Sequence, residues 1–283
     1  MSERFRAFTF VDRITFNADG RIEGHYTVPA TATRFPASLM AEAVGQLAAW
    51  SAMAQLDFAF RPVAGLAAET HYRRIAGPGH TLKLEADIAR CDPEAVAYSG
   101  RALLDGHVAL ELIDCVGPML PMEEFDAPNA VRADFDTLRT TGAAPGRFQG
   151  VPAPQIEVRE HAAGERLRAT LQVPPRNGTP YFDDHFPRRP VFPGTLLLDA
   201  LAGLAVRLAR EAMPGPAADA LMPTEVSNVK IRSFTSPGTT LELEIDLLEA
   251  SADRARLKLG ARNEGKTIAT ARMEVGHLEA TPS

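Results

Sequence analysis

Cysteine is scarce in this sequence. Cys91 and Cys115 are the only two in 283 residues, and they do not stand at the spacing of a metal site. That argues against a secreted disulfide framework and for a reduced, cytosolic setting. Positive charge is not in excess either. The formal net charge of −6 argues against nucleic acid as the main partner. No long apolar run is uninterrupted. The most apolar stretch, 191–209, is broken by Pro193, Asp199 and Arg207, so it reads as a buried helix and not a membrane span. The opening MSERFRAFTF lacks the apolar core of a signal peptide.

What is present is enough for two domains. The chain is long, and its 45% hydrophobic content can fill more than one core. Residues 8–16 and 21–28 alternate and read as extended chain, with Asp19-Gly20 as the turn between them. Ser38 is placed to cap a helix over 39–55 that is apolar nearly all round, apart from Glu42 and Gln46. Residues 63–74, 81–90, 95–104 and 107–115 follow, divided by Gly77-Pro78-Gly79 and Asp105-Gly106. That pattern reads as an antiparallel meander. Residues 117–154 change character, with Pro, Gly, Ala and acidic residues around one expected helix at 128–138, and read as a connector.

The order then recurs. Strands are expected at 155–158 and 165–173, a helix at 195–212, and a second meander over 226–278. Glu42 and Asp199 hold equal places in their helices, 157 positions apart. Pro78-Gly79 and Pro237-Gly238 are 159 apart, as are Gly106 and Gly265. A nearly constant offset across helix, turn and turn is an internal repeat. The expected division is 1–116, a connector at 117–154, and 155–283. The halves differ in one loop. Residues 29–34 form a short link in the first half, whereas 174–191 form a long one in the second.

That long loop carries Tyr181-Phe182-Asp183-Asp184-His185-Phe186-Pro187-Arg188-Arg189-Pro190-Val191-Phe192-Pro193-Gly194. Prolines restrict its backbone, and a Pro-Gly step opens the helix that bears Asp199. The run His185-Phe186-Pro187, Pro190-Val191, Pro193-Gly194 and Asp199 resembles the signature of the β-hydroxyacyl-acyl-carrier-protein dehydratases. Glu42-Ala43-Val44-Gly45-Gln46 resembles the same family's acid-plus-glutamine helix motif, and Phe10-Val11-Asp12-Arg13-Ile14 its opening strand.

The resemblance implies an α+β hotdog fold, a long helix wrapped by an antiparallel sheet. Two such units in tandem would form a double hotdog, a covalent pseudo-dimer. In that family a site takes its histidine from one unit and its carboxylate from the other. The implied site here pairs His185 as base with Glu42 as acid, whose proton affinity burial in an apolar helix is expected to raise. The N–H of Gly194 would face the thioester oxygen, and Gly194 is expected to be needed for its backbone geometry. Gln46 would orient Glu42. Phe186, Pro193 and Phe192 are candidate substrate contacts. Arg188 and Arg189, with Lys230 and Arg232, are candidates for a basic mouth that meets an acidic acyl carrier protein. The first half has no equivalent histidine, so one working site per chain is expected, with Asp199 a relic, a structural group or the acid of another pairing. The implied reaction removes water from a 3-hydroxyacyl thioester held on phosphopantetheine, in fatty-acid, polyketide, polyene or polyunsaturated-lipid synthesis, and is expected to need no metal or redox cofactor. A hotdog thioesterase and a non-catalytic acyl-binding hotdog are the alternatives.

Overall fold

Residues 7–143, 148–215 and 218–278 are described by a computed structural model. The first half contains β1 (Arg13–Ala18), β2 (Arg21–Thr27), α1 (Ser38–Gln55), β3 (Phe60–Pro62), β4 (Leu66–Tyr72), β5 (Thr81–Cys91), β6 (Ala95–Leu104) and β7 (His107–Pro121). After α2 (Pro128–Thr140) come β8 (Gln155–Ala162), β9 (Arg166–Gln172), the one-turn α3 (Tyr181–Asp184) and α4 (Gly194–Ala212). The chain ends with β10 (Met222–Ile231), β11 (Thr240–Ala250), β12 (Arg254–Asn263) and β13 (Lys266–Gly276).

Both meanders form where alternation and turn residues place them. Asp105-Gly106 and Glu264-Gly265 both take positive φ at the hairpin tips, as two-residue hairpin turns require. Counted outward from the middle of the sheet, the first half runs β4, β7, β6, β5, β2, β1, and the second runs β10, β13, β12, β11, β9, β8. The two series are the same order of equivalent strands. They meet where β4 pairs antiparallel with β10, with Thr70 opposite Val226 and Leu66 opposite Lys230. One continuous sheet therefore crosses both halves, and α1 and α4 touch each other within its curve.

The core lies between each helix and its own strands. Leu39, Met40, Val44 and Leu47 of α1 are buried with Ile22, Leu82, Leu84 and Ala102 of the sheet. Leu197, Leu201, Leu204 and Leu208 of α4 are buried with Leu171, Leu243, Ile245 and Leu257. Fully burying one such leucine contributes about 1.5–3 kcal/mol. Leu47→Ala would cost about 2–5 kcal/mol once the cavity it leaves is included.

Several local expectations differ from the fold. Ser38 does not cap α1. It is the first helical residue, the preceding Ala37 makes no side-chain cap, and the Ser38 hydroxyl is buried without a hydrogen-bond partner. β7 runs six residues beyond 115, because it goes on pairing with β4 and β6 and its last three residues pair with the unforeseen β3. Residues 8–12 form no strand, yet Phe8, Phe10 and Val11 are buried. Among the described residues no helix is long and apolar enough to cross a membrane.

Candidate active site

A cavity of about 250 Å3 lies between the halves and takes residues from both. Glu42, Gln46 and Trp50 reach it from α1, and Arg61 from β3. His185, Phe186, Val191 and Phe192 reach it from the long loop, and Gly194 and Thr195 from the first turn of α4. The repeat explains the meeting. α1 and α4 lie side by side, so a carboxylate on one faces the loop that leads into the other.

His185 is fixed from three sides. Its N–H donates to the Tyr181 carbonyl at 2.9 Å, and its own carbonyl accepts from Val191 N–H at 3.2 Å. Its ring stacks on Phe186, with centroids 4.2 Å apart, and meets the edge of Phe8 at 5.3 Å. Nδ1 lies 3.1 Å from the Val191 carbonyl oxygen. Dense packing lowers the pKa of His185 below its ordinary 6.5. The charge of Glu42 and the bond to Val191 oppose that shift, and the Arg61 charge adds to it. The ring is therefore neutral near pH 7. A carbonyl can only accept, so Nδ1 carries the hydrogen and Nε2 keeps its lone pair.

Glu42 is half-buried, not enclosed. Each of its oxygens has a donor. Gln46 Nε2 donates to Oε1 at 3.0 Å, and Thr195 Oγ1 donates to Oε2 at 2.7 Å. Gln46 is itself pinned. Its Oε1 accepts from Phe10 N–H at 2.8 Å, and its Nε2 also reaches the Phe8 carbonyl at 3.1 Å. The N-terminal segment thus orients Gln46, and Gln46 orients Glu42. Asp184 fastens the same segment from the other half by accepting from the N–H groups of Ala7 and Phe8.

Gly194 begins α4, so its N–H has no acceptor within the helix. Its backbone does not demand glycine. It is not in the left-handed region, and an added Cβ would stand 3.6 Å from Ile231 and 3.9 Å from Ala64, at ordinary contact distance. What glycine leaves there is room against the cavity wall. Pro193 is not part of the lining. It precedes α4, and its carbonyl takes the Leu196 and Leu197 N–H groups. Phe192 is anchored by its N–H on the Thr235 carbonyl at 2.7 Å. Arg188 and Arg189 lie outside the cavity on exposed backbone, bonded to the Glu123 carbonyl and the Glu124 carboxylate. Lys230 and Arg232 are exposed as well.

Thr195, Arg61 and Asp184 were not singled out as site residues from the sequence. Thr195 follows Gly194 directly, so its neighbourhood was the available signal. Arg61 had none. Its guanidinium lies 4.3 Å from the Phe186 ring centroid, on a strand too short to show in the pattern.

Asp199 is not brought to this site. Its carboxylate forms an ion pair with Arg34, a residue of the short loop at 29–34. Burial raises its pKa, and the Arg34 hydrogen bond and charge oppose the rise. Among the described residues no group of three or more His, Cys, Asp or Glu side chains could hold a metal ion.

Residues 155–272 match the FabA-like domain family. The 3-hydroxyacyl-[acyl-carrier-protein] dehydratase FabZ of Zymomonas mobilis is 31% identical over 136 residues, which is 48% of this chain and 84% of that protein. The chain belongs to the FabA-like dehydratase family. The FabZ of Nitratidesulfovibrio vulgaris is 32% identical over 140 residues, 49% of this chain and 88% of its own. This member of the family is thus about twice as long as the region those relatives share with it.

Solved structures extend the likeness in fold to nearly the whole chain. The tesB protein of Mycobacterium avium subs paratuberculosis superposes with a TM-score of 0.59 at 15% identity, over 93% of this chain and 94% of that one. An acyl-ACP thioesterase from Bacteroides thetaiotaomicron gives 0.53 at 8%, over 90% and 98%. The hotdog α+β fold follows from family and fold together.

Proposed function

We propose that the chain is a double hotdog, an internal pseudo-dimer with one working site, which dehydrates 3-hydroxyacyl thioesters carried on an acyl carrier protein. The observation that carries this reading is a neutral His185, its Nε2 lone pair unengaged by the Val191 bond, sharing one cavity with a Glu42 that comes from the other half.

In this mechanism His185 Nε2 takes a proton from C2 of the substrate. The electron pair moves to the thioester oxygen, where the Gly194 N–H and the positive end of α4 stabilise it. When the pair returns, the C3–O bond breaks and protonated Glu42 supplies the proton, so that water leaves. The trans-2-enoyl thioester remains, and His185 returns its proton to Glu42. Thr195 serves Glu42 in both states, since a hydroxyl can donate to a carboxylate and accept from a carboxylic acid. No step calls for a metal or redox cofactor. The apolar wall formed by Ala49, Trp50, Met53 and Val96 suits an alkyl chain.

The partner is the acidic carrier protein, in a cytosolic setting, with Lys230, Arg232, Arg188 and Arg189 the exposed cations offered to it. The pathway in this reading is a fatty-acid or polyketide type of chain synthesis. The test is to supply carrier-bound 3-hydroxyacyl groups to the wild type and to His185→Ala, and to analyse products. Enoyl thioester from the wild type and none from the variant is expected. Free thiol in place of enoyl thioester would make the protein a thioesterase, and no turnover of any chain length would make it a binding protein.

A further inference from the structure

The cavity extends well past the reacting groups. Seven residues of α1 line it, from Ala41 and Glu42 through Gly45, Gln46, Ala49 and Trp50 to Met53, at the three- and four-residue spacing of one helix face. At 1.5 Å per residue this face is about 18 Å long. The opposite wall, from β6 and β7, contributes Val96, Leu112 and Val116, which are apolar.

One place on that wall is not apolar. Tyr98 on β6 lies directly across from Cys115 on β7, so the two side chains are neighbours on one face of the wall. Both line the cavity. The Tyr98 hydroxyl reaches across to α1 at Gly45, where a methyl group would come within 3.2 Å of it. Gly45 is three residues beyond Glu42, a rise of about 4.5 Å. The hydroxyl therefore stands a few bonds further along an acyl chain than the reacting carbons. A phenol both donates and accepts, and beside a thiol, a weak hydrogen-bonding group, its O–H can turn to a substrate oxygen. Burial keeps both groups protonated by raising their pKa values. A neutral donor–acceptor pair suits a neutral oxygen and not a carboxylate.

We propose that Tyr98 and Cys115 form a polar subsite in the acyl channel that accepts a hydroxyl or keto oxygen carried on the acyl chain beyond C3. This rests on the dehydratase reading of the site. A wall serving only saturated chains gains nothing from a phenol beside a thiol, because phenylalanine would fill the same space without a polar atom to satisfy. A site that hydrogen-bonds a substrate oxygen discriminates strongly against the analogue lacking it.

The test uses a series of 3-hydroxyacyl pantetheine thioesters of one chain length, with a single keto oxygen walked along the chain, beside the saturated parent. kcat/KM is measured for the wild type and Tyr98→Phe. Affinities are titrated separately with the corresponding acyl chains lacking the 3-hydroxyl. The wild type is expected to favour one oxygen position over the parent by about tenfold or more, and Tyr98→Phe to lose that preference while still turning over the parent. Equal preference in the two proteins overturns the subsite, as does a wild type that favours the parent. If neither protein dehydrates any member but the affinity preference survives and depends on Tyr98, the subsite stands and the dehydratase reading falls. If dehydration proceeds with an unchanged ratio, the subsite alone falls.

Discussion

Glu42 on α1 is held by Gln46 and Thr195 beside a neutral histidine, whereas Asp199, at the matching place on α4, is closed by the guanidinium of Arg34. The surroundings diverge in the same sense. Where the working side has Gln46, the other has Gly203. Where Thr195 donates to a carboxylate, Ser38 is buried with its hydroxyl unpartnered. Where a long loop opens onto a cavity, the short one is covered. Phe148 is buried against Phe10 and Phe35, and the Gln149 carbonyl takes the Thr33 N–H at 3.0 Å. Gly150 lets that cover lie close, since it has a φ of +101° and a Cβ there would meet Thr33 Oγ1 at 2.4 Å. In the proposed mechanism the same fold ends in a proton-transfer pair on one side, and on the other it ends in an ion pair. A carboxylate at a fixed helix position thus says little about chemistry until its partner is known.

The largest expected effect tests the working side. His185→Asn should lower kcat by about 10²–10⁴-fold, the usual share of a general base, as measured on carrier-bound substrate. The paired comparison comes next. Glu42→Gln should lower turnover by about 100-fold, while Asp199→Asn should leave it within about threefold, as a change away from the reacting groups does. A reversal of those two results would overturn the cross-half pairing.

Stability separates the two sides in the opposite direction. Arg34→Ala strands a largely buried carboxylate, and urea unfolding should show a loss of about 2 kcal/mol at neutral pH, reduced from a fully buried pair because Arg34 is partly exposed. Asp199 then gains a still higher pKa in the folded state. The loss should fade as pH falls toward its unfolded value of 3.8 and be gone below it, where the carboxyl is protonated in both states. Replacing both partners, Arg34→Met with Asp199→Leu, should recover most of it.

The smallest effect concerns Arg61. Its charge helps hold the pKa of His185 down, so Arg61→Met should move the acidic limb of the kcat/KM profile to higher pH without abolishing turnover. The depressed pKa of His185 also contributes stability that is present above 6.5 and lost as pH falls below it. That dependence should be flatter in His185→Gln.

The order of helices and strands was legible in the sequence because periodicity and turn dipeptides are local signals, and the repeat confirmed each half against the other. The pairing of Glu42 with His185 was implied by the family resemblance, since matching the helices alone equates Glu42 with Asp199, and both residues line one cavity. What was not legible depends on contacts across the chain. Thr195 meets Glu42 from 153 positions away. Arg34 meets Asp199 from 165. Neither residue type at its position has a local reason to be there. Ser38 failed as a cap for a related reason. The helix begins one residue earlier than expected, which puts Ser38 inside it and buried.

The junction of β4 and β10 has a consequence of its own. Leu66 and Ala67 on one strand, and Val229 and Ile231 on the other, line the cavity that their pairing closes. In an assembly of two identical chains such a wall would obey mass action and thin out on dilution. Every substitution would also be made twice, once on each side of the symmetry axis. Joined in one polypeptide, the wall cannot be diluted away, and specific activity should stay flat at any protein concentration. A change such as the arginine at position 34 is made only once, which is how one side could be closed while the other was kept.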